Sequence, residues 1–149
     1  MKSLYDPSTV DELKRRLATL TPDSPRLWGK MTPAQMLCHC SLGMESAVGD
    51  RKPLRMFIGR LLGGLVKPSF LSEKPVPKNS PTAPWLVIKD DRDLETERAR
   101  LISLIERFST GGPEACTQHP HSFFGKLTPE EWGKSSYKHL DHHLQQFGA

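Results

Sequence analysis

The sequence predicts an all-α protein, a four-helix bundle with a long basic, proline-rich crossover between its second and third helices. Four segments carry apolar residues at helical spacing, and the one strand-like stretch, residues 85–88, is very short. Five prolines fall between residues 68 and 84. The chain has 149 residues, the length of one domain, which we place at residues 1–149.

The first predicted helix covers about residues 7–20, and the third covers about residues 92–109. In the first, Val10, Leu13 and Leu17 repeat at helical spacing, and Pro7 suits the first turn. In the third, the apolar residues fall on one side, and Gly111 lies beyond the predicted end as a stop signal. Both patterns are typical of helices with one buried face.

The second and fourth predicted helices begin at the same signal. The stretches "WGKMTPAQM" and "FGKLTPEEW" place a threonine N-cap before a proline and close a capping box with Gln35 or Glu131. The second helix therefore runs from Thr32 to about Val48, and the fourth from Thr128 to Phe147. These starts fix which residues face inward.

The connection between helices two and three covers residues 50–90. Its first half allows one more short helix, whereas the prolines of its second half exclude a regular helix. Residues 51–89 hold eight Lys or Arg and one acid, Glu73. Such a segment either forms a solvated basic face or attracts an anionic ligand. We expect residues 68–84 to cover the mouth of a pocket.

Three cysteines do not form an even disulfide framework, and the N-terminal residues lack the apolar core of a signal peptide. Both observations predict a reducing, cytoplasmic setting. The longest apolar stretch, residues 54–66, is too short to span a bilayer. We expect a small-molecule substrate, with neither a membrane nor a nucleic-acid partner, and we leave a homodimer open.

Histidines are the most informative residues. His39 shares an apolar or small-residue stripe of helix two, and His139 and His143 lie one turn apart on the inner face of helix four. A single buried histidine is usually a satisfied core residue, and cations suit a helix C-terminus, which explains His142 and His143. Because His139 lies about two turns before the end, a metal site explains it better.

Two motifs resemble the DinB-like (DinB/YfiT-like) superfamily of bacterial metal-binding four-helix bundles. "TPAQMLCH" is similar to its helix-two motif, and "HLDHH" is similar to its helix-four motif. The C-terminal part resembles a branch of unknown function. The resemblance implies that His39, His139 and His143 bind a divalent transition metal, with zinc or nickel favoured. It also implies a thiol-dependent transferase or isomerase, or a hydrolase, that uses a low-molecular-weight thiol or water.

Other side chains have more than one interpretation. His142 lies beside the site or on the surface, and we expect a structural role for His121. Cys38 is either a core residue or a reactive thiol, and Asp141 contacts either solvent or Lys138. Because no general acid or base can be assigned, a non-catalytic metal- or ligand-binding bundle, related to stress responses, remains the alternative to an enzyme.

Overall fold

The computed structural model describes residues 1–149, and it is all-helical, as predicted. Its helices are α1 (Pro7–Thr19), α2 (Pro33–Val48), α3 (Phe57–Phe70), α4 (Leu94–Gly111) and α5 (Pro129–Gln146). Two short 3-10 turns occur at Pro84–Leu86 and Pro113–Ala115. No helix has both the length and the apolar composition needed to cross a membrane.

Helices α2 and α5 begin at the predicted capping boxes. Thr32 accepts a hydrogen bond from the backbone N–H of Gln35, whose side chain accepts one from the Thr32 N–H. Thr128 and Glu131 make the same reciprocal pair at the start of α5. Each box satisfies two of the N–H groups that a helix start leaves without partners. The inward faces of both helices are therefore fixed from their first turn.

The core lies between α1, α2, α4 and α5. Helix α2 packs against α4 and α5, and α1 packs against the same two helices. Each helix contributes large apolar side chains that are almost fully buried: Leu13, Leu17, Met36, Leu37, Met44, Leu101, Ile105, Leu140 and Leu144. Burial of each such side chain stabilises the fold by roughly 1.5–3 kcal/mol. The contact between α2 and α5 is the one that brings distant histidines together.

Helix α3 occupies the first half of the predicted crossover and is longer than the sequence indicated. It continues through Pro68 to Phe70, although the prolines had suggested that a regular helix ends before residue 68. Pro68 lies in the last turn, so it removes one hydrogen bond to the Gly64 carbonyl without disrupting a following turn. The strand-like stretch 85–88 also forms no strand, because Pro84 begins a 3-10 turn there.

The loop before α5 is organised by His121. Its Nδ1 accepts hydrogen bonds from the backbone N–H groups of Phe123 and Phe124, each at 3.1 Å. The imidazole also packs on Phe124 and Trp132, with ring centroids 4.7 and 5.4 Å apart. Burial, assisted by the positive charge of Arg55, lowers the pKa of His121 to about 4. The structural role expected for this residue is confirmed.

This pKa predicts a pH-dependent contribution to stability. The unfolded chain binds a proton on His121 below about pH 6.5, whereas the folded chain does so only near pH 4. The contribution is therefore present above pH 6.5 and is lost as the pH falls toward 4. Between pH 7 and pH 5 the loss is about 2 kcal/mol.

Replacing His121 by asparagine tests this prediction, since the Asn Oδ1 can accept the same backbone hydrogen bonds without titrating. The free energy of unfolding, measured with denaturant at pH 7, 6 and 5, should fall less steeply in His121→Asn than in the wild type. The two proteins differ only at residue 121, so the difference between their profiles reports the titration of His121. Parallel pH profiles would show that its protonation is not linked to folding.

Candidate metal centre

Three imidazoles from two helices meet inside the protein. His39 projects from the second turn of α2, while His139 and His143 project from successive turns of α5. One ring nitrogen from each residue lies within 4.8 Å of the others. The Nε2 atoms of His39 and His139 are 2.9 Å apart. These nitrogens are close enough to share one metal ion as ligands.

The other ring nitrogens of two of these residues are held by neutral acceptors. His39 Nδ1 lies 2.9 Å from the Leu86 carbonyl oxygen, and His143 Nδ1 lies 2.9 Å from Gln146 Oε1. Because both acceptors require a donor, each Nδ1 carries the proton and each Nε2 keeps its lone pair. The Gln146 side chain is oriented in turn, because its Nε2 donates to the Trp28 carbonyl at 2.7 Å. This is the tautomer that a metal-binding imidazole needs.

Burial keeps the three rings neutral. It is the main cause of the lowered pKa of His39, and it lowers the pKa of His143 to about 3. The pKa of His139 lies well below the ordinary value, because burial acts together with the nearby His143 and His39 rings. Neutral imidazole is the form that coordinates metals, so these lowered pKa values favour metal binding near pH 7.

The site has one enclosed side and one partly open side. His39 is 3% exposed, whereas His139 and His143 retain partial exposure. An edge-to-face contact joins His143 to His142, with ring centroids 5.1 Å apart, and a tilted contact joins His142 to Trp28, with centroids 5.3 Å apart. His142 is half-buried. It lies beside the three-histidine group and also reaches the surface, so neither of the two interpretations describes it alone.

A cavity of about 310 Å³ adjoins His142 and Trp28 on this outer side. Lys74 and Lys78 line it, and the Lys78 ammonium lies 4.8 Å from the centre of the Trp28 ring. Both lysines belong to the proline-rich segment that was expected to cover a pocket. The structure places part of that segment beside the histidines, and its action as a lid stays a prediction.

Most of the other cations proposed to attract an anion have protein partners. Arg55 donates to the Gly59 and Phe123 carbonyls, Lys67 pairs with Glu131, and Arg51 pairs with Glu45. These contacts stabilise the crossover. Lys74 and Lys78 make no ion pair, and they line the cavity next to His142, which Glu73 and Asp141 also line. The basic segment therefore offers two cations without ion-pair partners at this place.

No carboxylate joins the histidine cluster. Asp141 pairs with Arg16 at 2.7 Å, and Glu45 pairs with Arg51 and Arg100. Of the two contacts considered for Asp141, the one with Lys138 is not formed, because the Lys138 ammonium donates to the Phe70 and Ser72 carbonyls at the C-terminal end of α3. Neither carboxylate therefore belongs to the three-histidine group, and Asp141 lines the cavity beside His142 while paired with Arg16.

The remaining histidine and the cysteines lie outside the cluster. His119 Nε2 lies 2.9 Å from the Pro53 carbonyl, so this residue joins the loop before α5 to the crossover. Cys38, Cys40 and Cys116 are buried and unpaired. Burial raises the pKa of Cys38 despite the nearby Arg100, which disfavours the reactive thiolate.

Two supporting groups were not found from the sequence. Gln146 follows His143 by three residues on one helix face, so its contact follows from helical spacing once His143 is assigned. The Leu86 carbonyl carries no signal, because it belongs to the backbone of an irregular segment 47 residues away. Only the three-dimensional path of the crossover reveals it.

A family model described as "Protein of unknown function (DUF1569)" matches residues 5–149. Searches of curated proteins and of solved structures found no match.

Gly43 makes room for the His139 ring. A Cβ atom at Gly43 would lie 3.2 Å from both Cε1 and Nδ1 of His139, closer than comfortable contact. By contrast, a Cβ at Gly64 in α3 would meet nothing within 4 Å. Replacement of a helical glycine by alanine ordinarily stabilises a protein by roughly 0.5–1 kcal/mol.

We therefore expect Gly64→Ala to raise the free energy of unfolding by about that amount, and Gly43→Ala to raise it less or to lower it. Denaturant unfolding of both variants measures the difference. An equal gain in the two variants would mean that the His139 ring is not confined by α2.

Proposed function

Because the chain belongs to the DUF1569 family, whose function is unknown, we propose its function from the site itself. We propose that it is a metal-binding protein in which His39, His139 and His143 hold one divalent transition metal. The observation that carries the proposal is the convergence of one ring nitrogen from each residue within 4.8 Å.

The donor set favours particular ions. Three neutral imidazoles without a thiolate or carboxylate suit zinc, nickel, copper or iron, and we favour zinc or nickel. Structural zinc sites usually have four protein ligands and are rich in cysteine. A site with three protein ligands and partial exposure of two of them resembles a catalytic arrangement, in which another molecule completes the coordination.

We further propose a metal-dependent enzyme, either a thiol-dependent transferase or isomerase or a hydrolase. A metal at these imidazoles would supply the acidity that converts a thiol or water into a nucleophile near neutral pH. Leu86 and Gln146 would hold the ligand tautomers, and the half-buried His142 is the ionisable group beside them. Lys74 and Lys78 would attract the anionic end of a substrate or thiol.

The proposal includes the DinB-like four-helix arrangement. Its support is that α1 and α2 each pack against both α4 and α5, and that the ligands come from α2 and α5. In this arrangement α3 and residues 71–93 form the crossover between the second and third helices of the bundle. The motifs "TPAQMLCH" and "HLDHH" then occupy facing helices.

A non-catalytic metal-binding protein is the second candidate. One observation favours it, namely that Asp141 and Glu45 are engaged by arginines and neither belongs to the three-histidine group. A hydrolase often uses a carboxylate or histidine to move protons. Thiol transfer needs such a group less, because coordination itself deprotonates a thiol.

Metal content distinguishes the candidate ligands from other histidines. Elemental analysis of untagged protein should give about one metal per chain. His139→Ala should abolish metal binding, because only two imidazoles would remain, one on each helix. His119→Ala serves as the control. It should retain the metal, because the His119 ring contacts the Pro53 carbonyl and is not part of the three-histidine group. Equal metal content in the two variants would refute the ligand assignment.

Thiol binding tests the proposed chemistry. Calorimetric titration with glutathione, bacillithiol and simple thiols should show binding to metal-loaded protein and none to stripped protein. Binding of the anionic thiols should weaken with added salt, since the attracting lysines are exposed. Lys78→Gln should reduce it severalfold, whereas Arg60→Gln, on α3, should leave it unchanged.

Metal-independent thiol binding would contradict this chemistry. Absence of binding to every thiol, together with no hydrolysis of test esters and amides, would favour the non-catalytic candidate. Neither result would affect the ligand assignment, which elemental analysis decides separately.

A further inference from the structure

Helix α3 exposes an unusually large apolar face. Seven large apolar residues of α3 and the stretch before it are exposed: Leu54, Phe57, Ile58, Leu61, Leu62, Leu65 and Val66. Leu54, Phe57 and Leu65 reach 88%, 77% and 78% exposure. Outside this region only Leu27 and Val87 are large, apolar and comparably exposed. We call these seven residues the α3 face.

The opposite side of α3 is docked on the protein through glycine. A Cβ at Gly59 would lie 2.6 Å from the Phe123 carbonyl oxygen, and a Cβ at Gly63 would overlap the same oxygen. The Arg55 guanidinium also donates to the Gly59 and Phe123 carbonyls. Because only glycine permits this close approach, the helix is held with its large side chains directed outward.

Charged groups are absent from the α3 face. At about 100° per residue, the apolar residues of α3 cover an arc of roughly 180° from Phe57 to Val66. Arg60 and Lys67 lie about 150° or more from the centre of that arc. Lys67 is further tied to Glu131 and to the Lys126 carbonyl. The α3 face is therefore purely apolar, and the two cations of helix α3 lie on the opposite side of the helix.

The size of the α3 face fits a protein interface. At about 200 Å² for a fully exposed large apolar residue, the exposed fractions amount to roughly 800 Å². The largest apolar patch of a typical monomer is about 300–600 Å². Each partner in an interface of standard size buries about 800 Å². The area of one face is thus close to the area that each partner buries in a two-fold contact of standard size.

We propose that the α3 face is the interface of a homodimer, in which the α3 helices of two chains pack against each other across a two-fold axis near Leu61. An isologous contact places the same patch on both subunits, so Phe57 of one chain meets the region of Leu65 in the other. Ile58, Leu61 and Leu65 recur at three- and four-residue spacing, as in paired helices. Depletion of charge is typical of interface cores.

Other occupants fit less well. The segment that follows α3 leaves the face exposed, and its far end is held at His39 through the Leu86 carbonyl. A helix on an anionic membrane has a polar face rich in free Lys and Arg. The side of α3 opposite its apolar face is docked on the protein, and Arg60 is the single cation of α3 without a partner.

Sedimentation velocity on the full chain tests the proposal. At micromolar concentration the wild type should sediment as twice the chain mass of 16.8 kDa. Leu61→Asp and Leu65→Asp should each raise the dimer dissociation constant by more than about tenfold, because a carboxylate would be buried at the interface. Leu27→Asp is the matched control, since Leu27 is 59% exposed but lies outside α3, and it should stay dimeric.

A cross-link locates the axis. Under mild oxidation Leu61→Cys should form a covalent dimer and Leu27→Cys should not, while the three native cysteines are buried. Unchanged helical circular dichroism in the Asp variants would show that they remain folded. A monomeric wild type would overturn the proposal. If the wild type were monomeric, its co-sedimentation with phosphatidylserine vesicles would be measured next. Co-sedimentation of the wild type but not of Leu61→Asp would assign the α3 face to a membrane. A dimer that persists in both Asp variants would also overturn it.

Discussion

The contact between α2 and α5 is the constraint on which the candidate metal centre depends. His39 comes from one helix, and His139 and His143 come from the other, 100 residues further along the chain. Their nitrogens meet only if both the separation and the rotation of the two helices are correct. Gly43 permits this close approach, because the His139 ring lies next to the position that a side chain at residue 43 would occupy. Reciprocal capping at Thr32 and Thr128 fixes the rotation.

Burial of three imidazoles would be costly without partners. An unpaired buried polar group costs about 1–3 kcal/mol, and the protein reduces this cost through Leu86, Gln146 and the contact between His39 and His139. The Nε2 lone pairs of His39 and His143 are what a cation would engage. Because His39 also binds the Leu86 carbonyl, any ligand that orders His39 stabilises the crossover, and an ordered crossover stabilises the ligand in return.

The parts of this architecture that the sequence predicted are governed by local rules. Capping boxes, helical periodicity and the His139–His143 spacing involve residues within one helix, so the helix faces and the grouping of the three histidines could be inferred before the helices were seen together. The failures involve tertiary contacts. Pro68 is tolerated inside α3, Lys138 prefers the carbonyls of Phe70 and Ser72, and Leu86 contributes only its backbone. The exposure of the α3 face depends on the close contact of Gly59 and Gly63 with Phe123, which the spacing of apolar residues in the sequence does not predict.

The shared capping motif has a consequence for how this chain can change length during evolution. His39, His139 and His143 lie seven, eleven and fifteen residues after their N-cap threonines, intervals that differ by about one helical turn. One inserted or deleted residue between a cap and its histidine would turn the imidazole by about 100° and remove it from the cluster. The irregular stretch between Leu71 and Ala83 has no such restriction. Length variation should therefore be tolerated in the crossover and selected against in the first turns of α2 and α5.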